Sequence, residues 1–228
     1  MAKRYLVFGG WGIGPDILRP LFDASSIFVD VNQLLPALFD GENLVADWAA
    51  VVRHTFEKEI AAADGFAGWS TGAIIACGLA MRTNPQRLVL ISATPSFCRR
   101  DKFGFGWKPA VLRAMRERLA VSGNSVVLDF VRAAGLPSEC AANPMYEAST
   151  LATGLRFLEQ ANLLPVLSKV NFPVVAIHGR EDGIVPFRAG EVLCEALGGR
   201  FRLYNGGHGF FVSTDPSKRI LATGELLP

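Results

Sequence analysis

The chain has 228 residues and a mass of 24.6 kDa, a size that favours one domain or one domain carrying an insertion. Half of the residues are hydrophobic and 19% are charged, which supports a buried core and excludes a disordered chain. The net charge of +2 lacks the basic excess that nucleic-acid binding needs, and the longest apolar stretch, 72–81, is too short to span a membrane. We therefore expect neither a nucleic-acid partner nor a membrane segment.

The start of the chain and its cysteines indicate a cytoplasmic protein. The apolar run that follows Lys3 and Arg4 stops at a glycine cluster, too early for a signal peptide. The four cysteines lie far apart without a Cys-x-x-Cys pair, and the chain has only three histidines. This spacing predicts neither a disulfide framework nor a metal site. We expect a reduced monomer without metal or cofactor.

Short apolar runs alternate with helical patterns along most of the chain. The apolar runs predict buried strands, and the segments with a period near 3.6 residues predict helices. Strands that alternate with helices and are apolar throughout favour an α/β fold with a mostly parallel sheet. The predicted strands are 5–8, 27–31, 65–69, 87–92, 173–178 and 200–204, and the predicted helices between them are 44–60, 72–81 and 185–197.

One segment, 97–165, breaks this alternation. It shows no strand pattern, and its helical stretches at 109–120, 126–134 and 146–158 have glycines and prolines near their ends. An all-helical insertion between two strands is typical of a lid. We therefore predict a core of 1–96 and 166–228, with 97–165 as a helical lid.

The pentapeptide Gly68-Trp69-Ser70-Thr71-Gly72 matches the pattern G-x-S-x-G. It follows a predicted strand directly and precedes an apolar helix. A serine at such a tight strand-to-helix turn is exposed, because the two glycines relieve crowding with neighbouring backbone. We predict that Ser70 is a nucleophile; the alternative is a glycine-tolerant turn with an incidental serine.

A nucleophilic serine needs a base and an acid that orients the base. His208 and Asp182 both follow predicted strands, so both lie at the sheet edge that carries Ser70. The order Ser…Asp…His is typical of one class of hydrolases. Glu181 is the alternative acid. His54 lies within a predicted helix before the nucleophile, and His178 comes too early for the base in this order; these are the remaining histidines.

An oxyanion formed at Ser70 requires hydrogen-bond donors. We predict the backbone N–H of Thr71, next to the nucleophile, and that of Trp11 in the glycine-rich loop after the first strand. A dinucleotide site is the alternative for this loop, with Asp30 ending the second strand. It lacks the Walker lysine and leaves the Ser-Asp-His set unexplained.

The whole chain resembles the α/β-hydrolases and, among them, the pimeloyl-acyl-carrier-protein methyl ester esterases of biotin synthesis. Gly10-Trp11-Gly12 is similar to the oxyanion loop of that family, and Gly68-Trp69-Ser70 to its nucleophile elbow. The segment 88–97, followed by Arg100-Asp101 and Lys108-Pro109, is similar to the entrance of its lid. The resemblance implies a serine carboxylesterase that hydrolyses the methyl ester of pimeloyl-acyl-carrier protein.

The chain departs from the family pattern in two places. Gly9 replaces the usual histidine before the oxyanion glycine, which removes a side chain that steadies the loop. The sequence also starts at the strand that feeds this loop, without the usual N-terminal hairpin, so we expect about six strands.

The resemblance also suggests how a substrate is bound. The segment 97–120 carries seven basic and two acidic residues, a local charge of +5 that fits an acidic carrier protein; the alternative is a solvated helix face. The residues that we expect to bind the carrier or the acyl chain are Arg99, Arg100, Arg113 and Arg116 for the carrier, and Trp69, Phe103, Phe105, Trp107 and Met145 for the substrate.

Other functions use the same three residues. General carboxylesterases, thioesterases, lactonases and a menaquinone-type lyase share such triads, and receptors that only bind a ligand retain them. These alternatives stay open on sequence alone.

Overall fold

A computed structural model describes residues 3–141 and 146–212, without the side chain of Asn124. Six strands form one sheet in the order β2-β1-β5-β6-β7-β8, with every pair parallel, and β3 pairs with β4 in a separate antiparallel hairpin. The prediction of a parallel sheet of about six strands is therefore confirmed. The strands are β1 (Tyr5–Phe8), β2 (Ile27–Val29), β3 (Phe39–Asp40), β4 (Asn43–Leu44), β5 (Gly65–Trp69), β6 (Leu88–Ile91), β7 (Val174–Gly179) and β8 (Arg200–Tyr204).

Helices cover the sheet and form the segment between β6 and β7. The helix α4 is buried over nearly all of its length, which explains why its sequence is apolar on all sides. No helix in the described part of the chain is both long and apolar enough to cross a membrane. The helices are α1 (Val31–Leu34), α2 (Trp48–Thr55), α3 (Glu57–Ala62), α4 (Thr71–Thr83), α5 (Pro109–Ala133), α6 (Ala148–Gln160) and α7 (Phe187–Leu197).

The helix predicted over 44–60 is wrong at its start and in its middle. Residues 43–44 form β4 instead, and the Asp47 side chain caps α2 by accepting from the amide of Ala50. At Phe56 (φ −114°, ψ 29°) the backbone leaves helical geometry, so that α2 and α3 are separate helices. The periodic apolar pattern did not reveal either boundary.

The lid helices also differ from their prediction. The segments 109–120 and 126–134 belong to the single helix α5, which is kinked at Ser122 (φ −148°, ψ 50°). The helix predicted from residue 146 begins two residues later, at Ala148. Met145 lies outside the described residues. The division into core and lid stays a prediction.

The carboxyl ends of β1, β5, β6, β7 and β8 all meet at one edge of the sheet, because the strands are parallel. The residues at these ends were singled out from the sequence, except Ser92, which the structure places after β6. In chain order these are the glycine-rich loop 9–14, Ser70, Ser92, Asp182 and His208.

Candidate active site

Ser70 occupies a strained turn between β5 and α4. Its φ of 56° and ψ of −117° lie in a region that residues other than glycine rarely adopt. The turn is held by its amide, which donates to the carbonyl of Ile91 at 2.9 Å. The side chain makes no capping hydrogen bond to α4 and is 6% exposed. The hydroxyl is therefore not used to cap α4.

The glycines on either side of Ser70 are required by backbone contacts. A Cβ on Gly68 would lie 2.2 Å from the carbonyl oxygen of Gly72, and a Cβ on Gly72 would lie 2.2 Å from that of Gly9. Distances this short cannot be relieved by moving a side chain, since the neighbouring atoms belong to the backbone. The two glycines let the turn pack against the loop that follows β1.

Replacing Gly72 with alanine is therefore expected to lower the free energy of unfolding by about 3 kcal/mol or more, because backbone must shift to admit the methyl group. Urea denaturation followed by circular dichroism measures the change. The matched control is Gly104→Ala, whose Cβ would meet nothing within 4 Å. Equal stability of the two variants would contradict the packing described for the turn.

Asp182 and His208 form a buried pair beside this turn. Nδ1 of His208 lies 2.8 Å from Oδ2 of Asp182, and both side chains are 0% exposed. The other carboxylate oxygen, Oδ1, accepts from the amides of Ile184 (2.9 Å) and Val185 (2.8 Å). Glu181, the alternative acid, accepts instead from the amide of Gly206. The structure thus brings Asp182, and not Glu181, to the histidine.

The environment of Asp182 favours its charged form. Burial by itself raises the pKa of a carboxyl group, but His208 and His178 counteract it through charge and hydrogen bonds. The net result holds the pKa of Asp182 well below its ordinary value. Asp182 is therefore a carboxylate at neutral pH and accepts from the histidine ring.

His208 is fixed by its backbone as well as by its ring. Its carbonyl oxygen accepts from Nε1 of Trp69 (3.1 Å) and from Oγ of Ser92 (2.9 Å). The ring lies 5.5 Å from that of Trp69 and 6.1 Å from that of Phe130. Nε2 is buried and has no hydrogen-bond partner among the described residues. Since Nδ1 carries the proton that binds Asp182, Nε2 has a lone pair for a further proton.

The loop after β1 is held by Asn32, a fully buried residue that the sequence analysis missed. Its Oδ1 accepts from the amide of Gly12 at 2.8 Å, and its Nδ2 donates to the carbonyl of Gly10 at 3.2 Å. Gly10 and Gly12 are the two neighbours of Trp11, so these contacts fix the backbone on both of its sides. They hold the loop although glycine stands at position 9, where the family has histidine. An amide side chain shortly after β2 was the only signal in the sequence.

Trp11 and Thr71, the predicted oxyanion donors, lie on the two segments that the glycine contacts bring together. The indole of Trp11 is buried, and its Nε1 donates to the carbonyl of Leu151 at 2.9 Å. Within residues 3–141 and 146–212, the backbone amides of Trp11 and Thr71 donate to no protein acceptor. Neither amide is therefore used in a hydrogen bond within these residues, as a donor to an oxyanion requires.

No family model matches this chain. It is 29% identical over 197 residues to the pimeloyl-[acyl-carrier protein] methyl ester esterase of Shewanella sp. strain MR-7, covering 78% of this chain and 73% of that protein. The enzyme of the same name from Pseudoalteromonas atlantica is 25% identical over 212 residues, covering 82% of this chain and 79% of its own.

Solved structures match over nearly the whole chain. The esterase EaEST from Exiguobacterium antarcticum superposes with a TM-score of 0.74 at 19% identity, covering 93% of this chain and 88% of that one. The enol-lactonase from Burkholderia xenovorans gives a TM-score of 0.72 at 16% identity, with coverages of 93% and 86%. The chain has the α/β-hydrolase fold.

All four arginines predicted to bind a carrier have hydrogen-bond or ion-pair partners inside the protein. Arg113 and Arg116 of α5 both pair with the carboxylate of Glu159 on α6. Arg100 is half-buried and donates to Oγ of Ser96 and to the carbonyl of Glu159. These side chains therefore hold α5 and α6 together. The fourth, Arg99, is exposed, and its Nε donates to the carbonyl of Gly106 at 2.8 Å.

The aromatic residues predicted to line an acyl channel pack either against the loop that carries Asp182 or against each other. Nε1 of Trp107 donates to the carbonyl of Ile184 at 2.8 Å, while Phe103 and Phe105 pack against each other with ring centroids 5.4 Å apart. Their contact with a substrate stays a prediction. Phe130 of α5 lies against Trp11 and His208 and was not identified from the sequence.

The contact of Glu159 with the two arginines predicts a pH-dependent contribution to stability. Burial raises its pKa, but the hydrogen bonds from Arg116 and Arg113 hold it below the ordinary value. The contribution is complete above the pKa in the unfolded chain, about 4.3, and is lost as the pH falls through the lower folded value. Glu159→Gln is therefore expected to cost about 1–2 kcal/mol at neutral pH and to flatten the pH dependence below about 4.3.

Urea denaturation at a series of pH values measures both effects. The control is Asp129→Asn, which breaks the exposed pair with Arg118 and is expected to change the stability by less than about 0.5 kcal/mol. If the two variants lose the same stability, the contact between α5 and α6 does not have the role described.

Proposed function

We propose that this protein is a serine hydrolase of carboxylic esters, and that its substrate is the methyl ester of a pimeloyl group carried on acyl-carrier protein. One observation supports the catalytic part of this proposal. The buried Asp182–His208 pair leaves Nε2 of the histidine without a described partner, at the sheet edge that holds the strained Ser70. Nucleophile, base and orienting acid are the parts that acyl transfer through serine requires.

The chemistry follows from these positions. His208 accepts the proton of Ser70 through Nε2 as the hydroxyl oxygen attacks the ester carbonyl, and Asp182 stabilises the imidazolium that forms. The amides of Trp11 and Thr71 donate to the oxyanion. The imidazolium then protonates the leaving methanol. Water, deprotonated by the same histidine, releases the free acid and restores Ser70.

The substrate is inferred from sequence similarity and surface charge. Two relatives that are 29% and 25% identical to this chain over the aligned residues carry the name of this esterase. The basic side chains Arg99, Lys102 and Lys108 are exposed and have no acidic partner among the described residues. An acidic carrier protein would approach such a surface with electrostatic steering.

The decisive comparison uses two substrates. We expect kcat/KM for methyl pimeloyl-acyl-carrier protein to exceed that for p-nitrophenyl butyrate, and the preference to fall with added salt. Equal values, or a preference for an acyl thioester of the carrier, would assign the same catalytic residues to a general esterase or a thioesterase. An absence of turnover with every ester would indicate a ligand-binding protein.

Removing the exposed basic residues is expected to affect only the carrier-bound substrate. The triple variant Arg99→Ala/Lys102→Ala/Lys108→Ala should lower kcat/KM for it about tenfold, mainly through slower association, and leave p-nitrophenyl butyrate within about twofold. The matched control removes Arg53 and Lys58, two exposed basic residues on α2 and α3. Equal losses in both variants would exclude a specific docking surface.

Replacing Asn32 with leucine is expected to lower kcat for p-nitrophenyl butyrate about tenfold or more, because the loop that presents the Trp11 amide loses both of its side-chain contacts. KM should change less. The control is Asn43→Ala in the exposed hairpin. An unchanged kcat in a folded Asn32→Leu protein would show that this loop does not form part of the oxyanion site.

A further inference from the structure

Asp182 has a second histidine partner that the proposed triad does not use. Oδ2 lies 2.8 Å from Nδ1 of His208 and 3.0 Å from Nε2 of His178, the residue before the last of β7. The His178 side chain is 1% exposed. The sequence analysis set His178 aside because it precedes the acid in the chain. The fold places it against the same carboxylate oxygen as the predicted base.

The surroundings of His178 determine which of its ring nitrogens carries the proton. Nε2 also lies 2.9 Å from the carbonyl oxygen of Val185, so both of its neighbours are acceptors and Nε2 must carry the proton. Nδ1 is buried and has no partner among the described residues. It faces Gly190 of α7, where a Cβ would lie only 2.5 Å away. A proton on Nδ1 would find no acceptor, so Nε2–H is the donor of this ring.

Among the described residues, the side chains that lower the pKa of Asp182 are the two histidines. The neighbours of the two rings are Phe201 of β8 on His178, and Trp69 and Phe130 on His208. On α7, Arg188 and Glu191 pair with each other at the surface, Glu195 is exposed, and burial raises the pKa of Cys194 to about 11. On β8, Arg200, Arg202 and Tyr204 alternate with Phe201 and therefore lie on the opposite face of the strand. Glu181 binds the amide of Gly206.

We propose that His178 is a positioning residue of the triad, which holds Oδ2 of Asp182 on His208 and shares the negative charge of that oxygen. The proposal rests on the proposed function. Because Oδ1 is occupied by two backbone amides, a donor on Oδ2 completes the set that prevents rotation of the carboxylate. The single Nε2–H of His178 is shared between the carbonyl of Val185 and Oδ2 of Asp182, and Nδ1–H of His208 donates to the same Oδ2. Each of the two donors therefore weakens the attraction that the other receives.

Loss of this donor has two expected consequences. The carboxylate orients His208 less well, which lowers kcat without changing KM, since His178 is buried and touches no substrate. The charge on Oδ2 is then shared with His208 alone, which stabilises the imidazolium. The acidic limb of the kcat/KM profile should therefore move to higher pH.

The test compares three variants on p-nitrophenyl butyrate from about pH 5 to about pH 9, with the stability of each measured by urea denaturation. His178→Leu is expected to lower kcat about tenfold, to leave KM within about twofold, and to move the acidic limb upwards by about 0.5 pH unit. His178→Gln should retain most of the parent kcat and keep the acidic limb at the parent pH, because its amide can donate to both Val185 and Asp182. Phe201→Leu removes the ring packed on His178 but keeps the donor, and should alter stability only.

A parent-like profile in His178→Leu would overturn the proposal. So would a glutamine variant as impaired as the leucine variant, or a Phe201→Leu protein with the same shift. If His178→Leu does not fold, His178→Asn replaces it, since the shorter amide falls short of Oδ2.

Labelling of Ser70 by a fluorophosphonate distinguishes a failure of this proposal from a failure of the proposed function. A parent that is labelled and active, beside an unaffected His178→Leu protein, removes only the role of His178. A parent that is neither active nor labelled overturns both proposals.

Discussion

Ser70→Ala is expected to reduce the hydrolysis of p-nitrophenyl butyrate by about 10⁶-fold in kcat, because it removes the proposed nucleophile, and Ser92, a second serine at this sheet edge, donates its hydroxyl to the carbonyl of His208. The folded protein should persist. The strained turn depends on Gly68 and Gly72 and on the amide of residue 70, none of which the substitution removes. We expect the free energy of unfolding to change by less than about 1 kcal/mol.

Initial rates and labelling by a fluorophosphonate, with the labelled peptide identified by mass spectrometry, measure the effect of Ser70→Ala. The matched control is Ser168→Ala, an exposed serine remote from the sheet edge. Parent-like rates in the Ser70 variant, or a label on another residue of the parent, would refute the assignment of the nucleophile.

The sequence was sufficient for the sheet and for the turn around Ser70. The strands β1, β5, β6 and β7 are short, fully buried and largely apolar runs, and the helix α4 that follows β5 is apolar on all sides, as expected for a parallel sheet covered on both faces. Gly68 reflects a backbone contact within the turn, whereas Gly72 reflects a contact with Gly9 in the loop after β1. The G-x-S-x-G pattern is contiguous in the chain, so a single sequence reveals it.

The supporting residues of the candidate site could not be predicted in the same way. Asn32 reaches Gly12 across 20 residues, and Arg116 reaches Glu159 across 43. Nothing near Asn32 in the sequence distinguishes a clamp from an ordinary polar residue after a strand. His178 lies only four positions before Asp182, yet its contact depends on the turn at 182–185 folding the carboxylate back onto β7. Such contacts depend on tertiary structure.

The periodic pattern also failed where the backbone changes direction inside an apolar segment. The predicted helix 44–60 contains a strand residue, a cap at Asp47 and a break at Phe56, yet its hydrophobic residues keep a period near 3.6. The same holds for the kink at Ser122 in α5. Hydrophobic periodicity describes which face is buried, and it is only weakly sensitive to where a helix starts or bends.

Asp182→Asn is expected to lower kcat by about 10⁴-fold while the protein stays folded. The amides of Ile184 and Val185 both donate to Oδ1, so the oxygen of the new side chain is held there and its NH₂ group faces His208. Nδ1 of His208 would then have to accept, which moves the ring proton to Nε2. In that tautomer Nε2 cannot take a proton from Ser70.

The same substitution sets the new NH₂ group against Nε2–H of His178, so two donors face each other and the geometry is further disturbed. The measurement is kcat on p-nitrophenyl butyrate, with folding checked by circular dichroism. Glu181→Gln is the matched control; it changes the neighbouring carboxylate, which binds the amide of Gly206, and should keep kcat within about twofold. A loss in Glu181→Gln as large as that in Asp182→Asn would transfer the role of the acid to Glu181. A loss confined to Asp182→Asn would show that catalysis depends on which nitrogen of His208 carries the proton.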